Sequence, residues 1–319
     1  MLVDITDIWP ESVKLLHAAY VKRIIDSQEA EKIPWGLKSI SDFVGRHPLA
    51  FSVGDVASIL AAMADFEKCC TNNGSKWKNR ALRKFESVFS YKKFSDKKSN
   101  DWCAYELCRR AKYYICPYCQ QSYAMTIHRA DRTRALRPTL DHYYPKSRFP
   151  FLAISLFNLV PSCYTCNSSL KGARDFYKDR HLHPYVASSG IGFKLDMAAY
   201  AAGKSTGDGR WRAIVDLAGG SLADRNTVKT FAIAERYQFI ENEVARFAES
   251  AYQFYCIGPT RYIEIARAAG VEPSDIISLG FDELSYKNEL LGRLKRDLLV
   301  EIRTAVERGA FNGGNVPAD

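Results

Sequence analysis

The tightest constraint on this chain is a pair of Cys-x-x-Cys motifs, Cys116-Pro117-Tyr118-Cys119 and Cys163-Tyr164-Thr165-Cys166, with 43 residues between them. Each motif brings two thiolates within reach of one ion, and two motifs supply the four sulfurs of a closed tetrahedral zinc site. Taken alone, Cys116-Pro117-Tyr118-Cys119 also reads as a glutaredoxin-like dithiol. Such an enzyme needs no second pair, and no βαβ rhythm follows to complete its fold. A zinc ribbon that only holds the chain together is the other rival. It has no use for the polar residues that accompany the cysteines, namely Asp141, His142, Asn158 and Asn167.

Read in order, Cys-x-x-Cys, Asp-His-x-x-Pro-x-Ser, Asn-Leu and Cys-x-x-Cys-Asn-x-x-x-Lys-Gly resembles the HNH (ββα-metal, His-Me finger) endonucleases over residues 113–186. The step of nine residues from Asn158 to Asn167 matches that family's spacing. The resemblance implies a hairpin whose first strand ends at Asp141-His142, with Asn158-Leu159 in its second limb and a helix opening at Cys166-Asn167. It implies His142 as general base, Asn158 as the residue that orients the loop holding it, and Asp141 and Asn167 as ligands of a catalytic divalent cation. An asparagine stands at the third signature position, an accepted variant.

The chemistry accounts for these residue types. Phosphodiester hydrolysis needs a deprotonated water and a cation to neutralise charge developing on the leaving oxygen. A neutral imidazole can accept the water's proton at physiological pH. A carboxylate and an amide carbonyl are hard oxygen donors, suited to magnesium or manganese. Zinc on the four thiolates is expected to be structural, because a hairpin and one helix bury too little core to fold without it.

Charge agrees with a polyanionic substrate. The 319 residues carry a formal net charge of +9. Nine basic residues against Glu86 and Asp96 give +7 over residues 76–98, interleaved with Trp77, Phe85, Phe89, Tyr91 and Phe94. The aromatics suit a core-facing stripe, and the lysines suit either a solvated face or a phosphate track. Lys92, Lys93, Lys97 and Lys98 are taken as nucleic-acid contacts, with Arg129, Arg132 and Arg134 from a second basic run that also includes Arg137, and with Lys171 beside the second knuckle. His17, His47 and His128 lack ligand spacing and read as ordinary. His181 and His183 read as structural, with a metal or phosphate role open for His183.

The fold expected is mainly α with an embedded, zinc-stapled ββα nuclease module, an α+β arrangement of a helical region at 1–112, the module at 113–186 and a mainly helical region at 187–319. Val13, Leu16, Tyr20 and Ile24 recur at helical spacing, residues 55–70 and the basic segment read as two helices, and a third over 98–112 leads to the first knuckle. Pro184 marks the exit of the helix that opens near Cys166. Phe193–Leu195 and Trp211–Leu217 have strand character around the glycine-bearing turn 203–209. Gly203-Lys204-Ser205 is no phosphate loop, since Ala198 stands where its first glycine belongs. Two helices follow, lined by Ile240, Val244, Phe247, Ala251 and Phe254, and by Leu291, Leu294, Leu298, Ile302 and Ala305. The tail from Phe311 reads as loose.

No apolar stretch is long enough to span about 30 Å of hydrocarbon. An acidic start without a basic leader, and an odd remainder of Cys69, Cys70, Cys103, Cys108 and Cys256, suit a reducing cytoplasm. The expected function is a metal-dependent DNA endonuclease. A narrower resemblance, in the helical arm and the Leu-Lys-Gly and His-Pro-Tyr motifs, is to HNH effectors of bacterial anti-phage systems of the Septu and retron-associated kinds. It implies a regulatory ATPase partner, for which residues 226–257 and 283–308 offer a docking face or simply pack on each other. A stand-alone restriction or mobile-element endonuclease and a non-catalytic zinc-containing binding module are the alternatives.

Overall fold

The computed structural model describes residues 2–31, 34–99, 101–130, 133–186, 190–200, 211–217, 219–268, 270 and 279–309. Arg132, the turn at 203–209 and the tail from Phe311 lie outside the described residues. The chain is mainly helical with three small two-stranded antiparallel sheets among the described residues. It divides into two compact units, one of residues 4–118 and 122–188, the other of 1–3, 119–121 and 189–319.

In the first unit α1 (Glu11–Glu29) starts behind Pro10, with Glu11 placed to complement the helix dipole. Its buried line is Val13, His17 and Val21, whereas Leu16 is largely exposed. The stripe expected through Leu16, Tyr20 and Ile24 is thus turned by about one position. After α2 (Lys38–Arg46), α3 (Val56–Val88) is capped by Asp55, whose carboxylate accepts from Ser58 N at 2.8 Å. The two expected helices run together in α3 but are broken at Gly74, whose φ of 77° favours glycine. Short helices α4 (Tyr91–Phe94) and α5 (Ala104–Arg109) follow. The helix expected over 98–112 is only this six-residue piece, since Cys103 at its start and Arg110 at its end are both non-helical.

Chain entry to the first knuckle is a tight reversal. Cys116 N donates to Ser122 O at 2.9 Å and Ala124 N to Tyr114 O at 2.7 Å. Strands β1 (Ile127–His128) and β2 (Arg134–Leu136) pair, then β3 (Thr139–His142) pairs with β4 (Leu159–Ser162) in the register Asp141 opposite Val160 and His142 opposite Leu159. Helix α6 (Thr165–Lys171) follows β4, wound so that Gly172 N bonds Asn167 O five residues back. It ends at Gly172, φ 53°, well short of Pro184, so the helix exit expected at Pro184 is corrected. Two strands and a helix thus follow one another along this stretch.

The core of this unit is aromatic. Phe43 and Phe51 meet Phe66 and Phe85 of α3, and all four contact Phe151 at centroid distances of 5.2–5.6 Å. Each buried phenylalanine contributes roughly 1.5–3 kcal/mol. Because Phe151 comes from the segment between β3 and β4, the boundary expected at 112/113 is absent, and the helices of 4–112 share one core with the cysteine-bearing region.

In the second unit β5 (Gly192–Leu195) pairs with β6 (Ala213–Asp216), as their apolar patterns implied. α7 (Leu222–Thr230) opens with a reciprocal cap, Ser221 with Asp224. α8 (Ile233–Gln238), α9 (Glu241–Ile257), α10 (Pro259–Ala268) and α11 (Gly292–Glu307) complete it. α9 packs on α11 through buried faces that include Val244, Ala251, Leu294 and Leu298. Gln120 also belongs to this unit. Its backbone carbonyl accepts from Leu291 N at 2.7 Å and its side chain from Arg293 N at 2.6 Å. Among the described residues no helix is long and apolar enough to cross a membrane.

Candidate active site and metal centre

The sulfurs of Cys116, Cys119, Cys163 and Cys166 all lie within 4.8 Å of one another, buried and free of disulfides. Four thiolates about 2.3 Å from one zinc would stand roughly 3.8 Å apart, so the donor set fits the ion in kind and spacing. Backbone amides support the thiolates, Gln121 N on Cys119 Sγ and Cys166 N on Cys163 Sγ, each at 3.4 Å.

Neighbouring residues of β3 carry the two groups expected to do chemistry. His142 Nε2 lies 2.9 Å from the carbonyl oxygen of Ala153. A carbonyl only accepts, so Nε2 carries the proton and Nδ1 keeps its lone pair. Burial lowers the imidazole's pKa to about 3, which keeps the ring neutral. The ring of Tyr91, at the start of α4, meets the imidazole edge-on at 4.6 Å. Asn158 is fully buried and ties down the loop beyond His142. Its Oδ1 accepts from Tyr144 N at 2.7 Å, while Nδ2 donates to Tyr144 O and Leu152 O at 3.1 Å.

Asp141 is engaged on both oxygens. Tyr118 OH donates to Oδ2 at 2.5 Å, and Lys171 Nζ to Oδ1 at 2.6 Å. The same ammonium donates to His142 O at 2.5 Å and Tyr143 O at 3.2 Å, using all three of its protons. Burial lowers the Lys171 pKa while the Asp141 carboxylate raises it. Lys171 therefore corrects the expectation that it contacts nucleic acid: with its side chain 3% exposed and its donors spent, it joins α6 to β3.

His142, Asp141 and Asn167 come together on one cleft of about 480 Å³, which Arg137, Lys146 and Arg174 also line. Lys146 and Arg174 were not singled out in the sequence, nor was Tyr91 as a neighbour of the base. Lys146 did carry a signal, since Pro145-Lys146-Ser147 directly follows the Asp-His loop. Tyr91 carried none, because it reaches His142 only through the fold.

The remaining basic residues do not form one face. Lys92 lines a recess with Tyr91 and Lys146 beside the cleft, whereas Lys93 lines another with Glu31 and Lys84. Lys97 and Lys98 belong to a third cleft that also contains Arg134. Arg129 is exposed. Arg134 is largely structural, donating to Lys97 O at 2.8 Å and Ser99 O at 2.5 Å. His183 is in the core, its ring 3.9 Å from that of Tyr143, with Nδ1 accepting from Tyr185 N at 3.3 Å. His17, read as ordinary, is instead fully buried. Its Nε2 lies 2.7 Å from Ile154 O and its Nδ1 accepts from Trp102 Nε1 at 3.0 Å.

No family model, curated protein or solved structure matches the chain.

Proposed function

We propose that the chain is a metal-dependent endonuclease that hydrolyses phosphodiester bonds of DNA. The observation that carries this reading is the convergence of His142, Asp141 and Asn167, from the end of β3 and from α6, on one cleft with Arg137, Lys146 and Arg174. His142 is the general base. Its protonated Nε2 is held by Ala153 O, so Nδ1 is the nitrogen available to a water. Asn158 positions that ring indirectly, by fixing the loop on which Ala153 lies. Arg137, Lys146 and Arg174 attract and orient a phosphodiester.

Asp141 and Asn167 are the hard-oxygen pair that would hold magnesium or manganese, supplying charge for the leaving oxygen. Both line the cleft, and the donor chemistry fits such an ion. Asp141 would have to give up one of its present partners, Lys171 or Tyr118. The anti-phage setting and a regulatory ATPase partner docking on residues 226–257 and 283–308 rest on the resemblance described above, and a cytoplasmic location rests on the cysteines left over from the metal site.

The test is a plasmid-cleavage assay with magnesium or manganese, run on the wild type and His142→Ala. Loss of the base should slow cleavage by about 10²–10⁴-fold while zinc content and DNA binding stay near wild type. Full cleavage by His142→Ala would refute the role of His142. A folded, zinc-loaded wild type that cuts neither DNA nor RNA would leave a non-catalytic zinc module.

A further inference from the structure

The third cleft is larger than the catalytic one, about 910 Å³, and is lined by Lys97, Lys98, Arg109, His128 and Arg134, with Glu106 its single acid among the described residues. Glu106 is oversubscribed. Arg109, Arg110 and Arg134 approach its carboxylate at 2.8, 3.4 and 3.9 Å, so three guanidiniums share one negative charge. Lys97 has only a long bond to Ala135 O at 3.4 Å. The cleft therefore keeps a surplus of positive charge.

A second observation points the same way. Nε2 of His128 is buried and has no hydrogen-bond partner among the described residues. Buried polar atoms are nearly always satisfied, so an orphan lining a basic cleft marks a position where something else completes the bond. In the catalytic cleft Nε of Arg137 is left in the same state. The two clefts are joined by one short stretch of chain. Arg134 and Arg137 stand over the same ring, that of Tyr105, at 5.6 and 5.4 Å. Three residues of extended chain cover about 10 Å. Backbone phosphates recur at short, regular intervals along a strand, so one strand can meet both clefts.

Resting on the endonuclease reading, we infer that this cleft holds a backbone phosphate of the DNA on the strand presented to His142, with His128 Nε2 donating to a phosphate oxygen and Lys97 and Lys98 supplying countercharge. A neutral ligand would leave the surplus charge uncompensated. A carboxylate would serve the charge but has no reason to recur at the spacing of the two clefts. The role is anchoring, since such contacts fix register and carry no base information.

The experiment uses the full chain carrying His142→Ala, so that DNA is bound and not consumed, and reads anisotropy of a fluorescein-labelled duplex of about 20 base pairs over a salt series. Adding His128→Ala should weaken binding about ten-fold. Adding Lys98→Gln should lower the slope of log affinity against log salt by about one, as loss of one phosphate contact does. Lys98 is exposed, so this variant does not endanger folding. Lys38→Gln, at a side chain 89% exposed in neither cleft, should change nothing. Unchanged affinity and slope in both cleft variants, with Lys146→Gln weakened, would overturn the second cleft and spare the endonuclease reading. His128-dependent binding by a chain that never cuts with His142 restored would uphold the cleft and sink that reading.

Discussion

Lys171 and Lys98 differ in what surrounds them, and the difference separates the parts of the site that hold shape from those left open. Lys171 is buried among three oxygen acceptors, and Asp141 opposite it is engaged on both carboxylate oxygens. Asn158, close by, satisfies its amide on both sides. Near Lys98 one carboxylate, that of Glu106, serves three guanidiniums, and the buried Nε2 of His128 has no partner among the described residues. Closed valences fix a scaffold. Open ones in a basic surface wait for an anion.

The largest effect should come from the most closed region of all. Cys163→Ser should cost the chain its zinc and the fold of the hairpin together, since structural zinc contributes about 10–16 kcal/mol in small modules. Metal analysis beside a thermal melt checks this, with about one zinc expected in the wild type. A variant that melts like wild type would show that the cysteines do not hold the scaffold.

Next in size is Lys171→Met, which leaves Asp141 charged and unpaired in the interior at a cost of about 3–5 kcal/mol. Denaturant titration measures it. Adding Asp141→Asn should recover part of the loss, because no buried charge then remains. A cost under about 1 kcal/mol would mean the pair is not the closed network described.

A third effect depends on pH. Burial lowers the pKa of His17 to about 4, from an unfolded value of 6.5. Between those values the unfolded chain binds the proton that the folded chain refuses. The contribution of a neutral His17 is therefore fully present above pH 6.5 and is lost as pH falls toward 4, on the order of 3 kcal/mol in all. The groups facing His17 are Ile154 O, Trp102 Nε1 and the rings of Tyr20 and Phe94, none of which titrates in that window. Stability should fall from pH 7 to pH 5 in the wild type and fall by less in His17→Gln, the remaining loss belonging to the other buried histidines, His142 and His183. The smallest effect belongs to the open side: Lys98→Gln should change stability by no more than about 0.5 kcal/mol.

How much of this was legible follows from the range over which each residue acts. Metal-ligand spacing is local, so the four cysteines could be read directly, as could the strand character of 192–195 and 213–216. The Asp-His, Asn and Cys-Asn stretches were legible as a pattern, and the fold brings the first and last of them, through Asp141, His142 and Asn167, to one cleft. Lys171 was misread because a lysine beside a nuclease motif looks like a phosphate contact until its acceptors are known. Two of those are backbone carbonyls of β3 and the loop after it, invisible to any residue pattern. His17 escaped notice because its partners lie at Trp102 and Ile154, far along the chain. The stripe through Leu16 failed for a related reason: spacing gives the period of a helix, while the neighbours decide which line of it faces inward.

The phenylalanine cluster sets how far the β3–β4 hairpin could travel as a genetic cassette. Phe149 and Phe151 leave the hairpin's connecting loop and end among Phe43, Phe66 and Phe85, which belong to helices encoded 66 to 108 residues upstream. The main-chain bond from Leu156 N to Ser52 O and the hydroxyl of Ser155 on Ala50 O stitch the same seam. A recombination that copied residues 113–186 alone into another gene would deliver His142 and the thiolates with two bare aromatic rings beside them. Exchange of this module is therefore expected to succeed only when the crossover lies before Asp4, so that inheritance follows the shared core and not the motif.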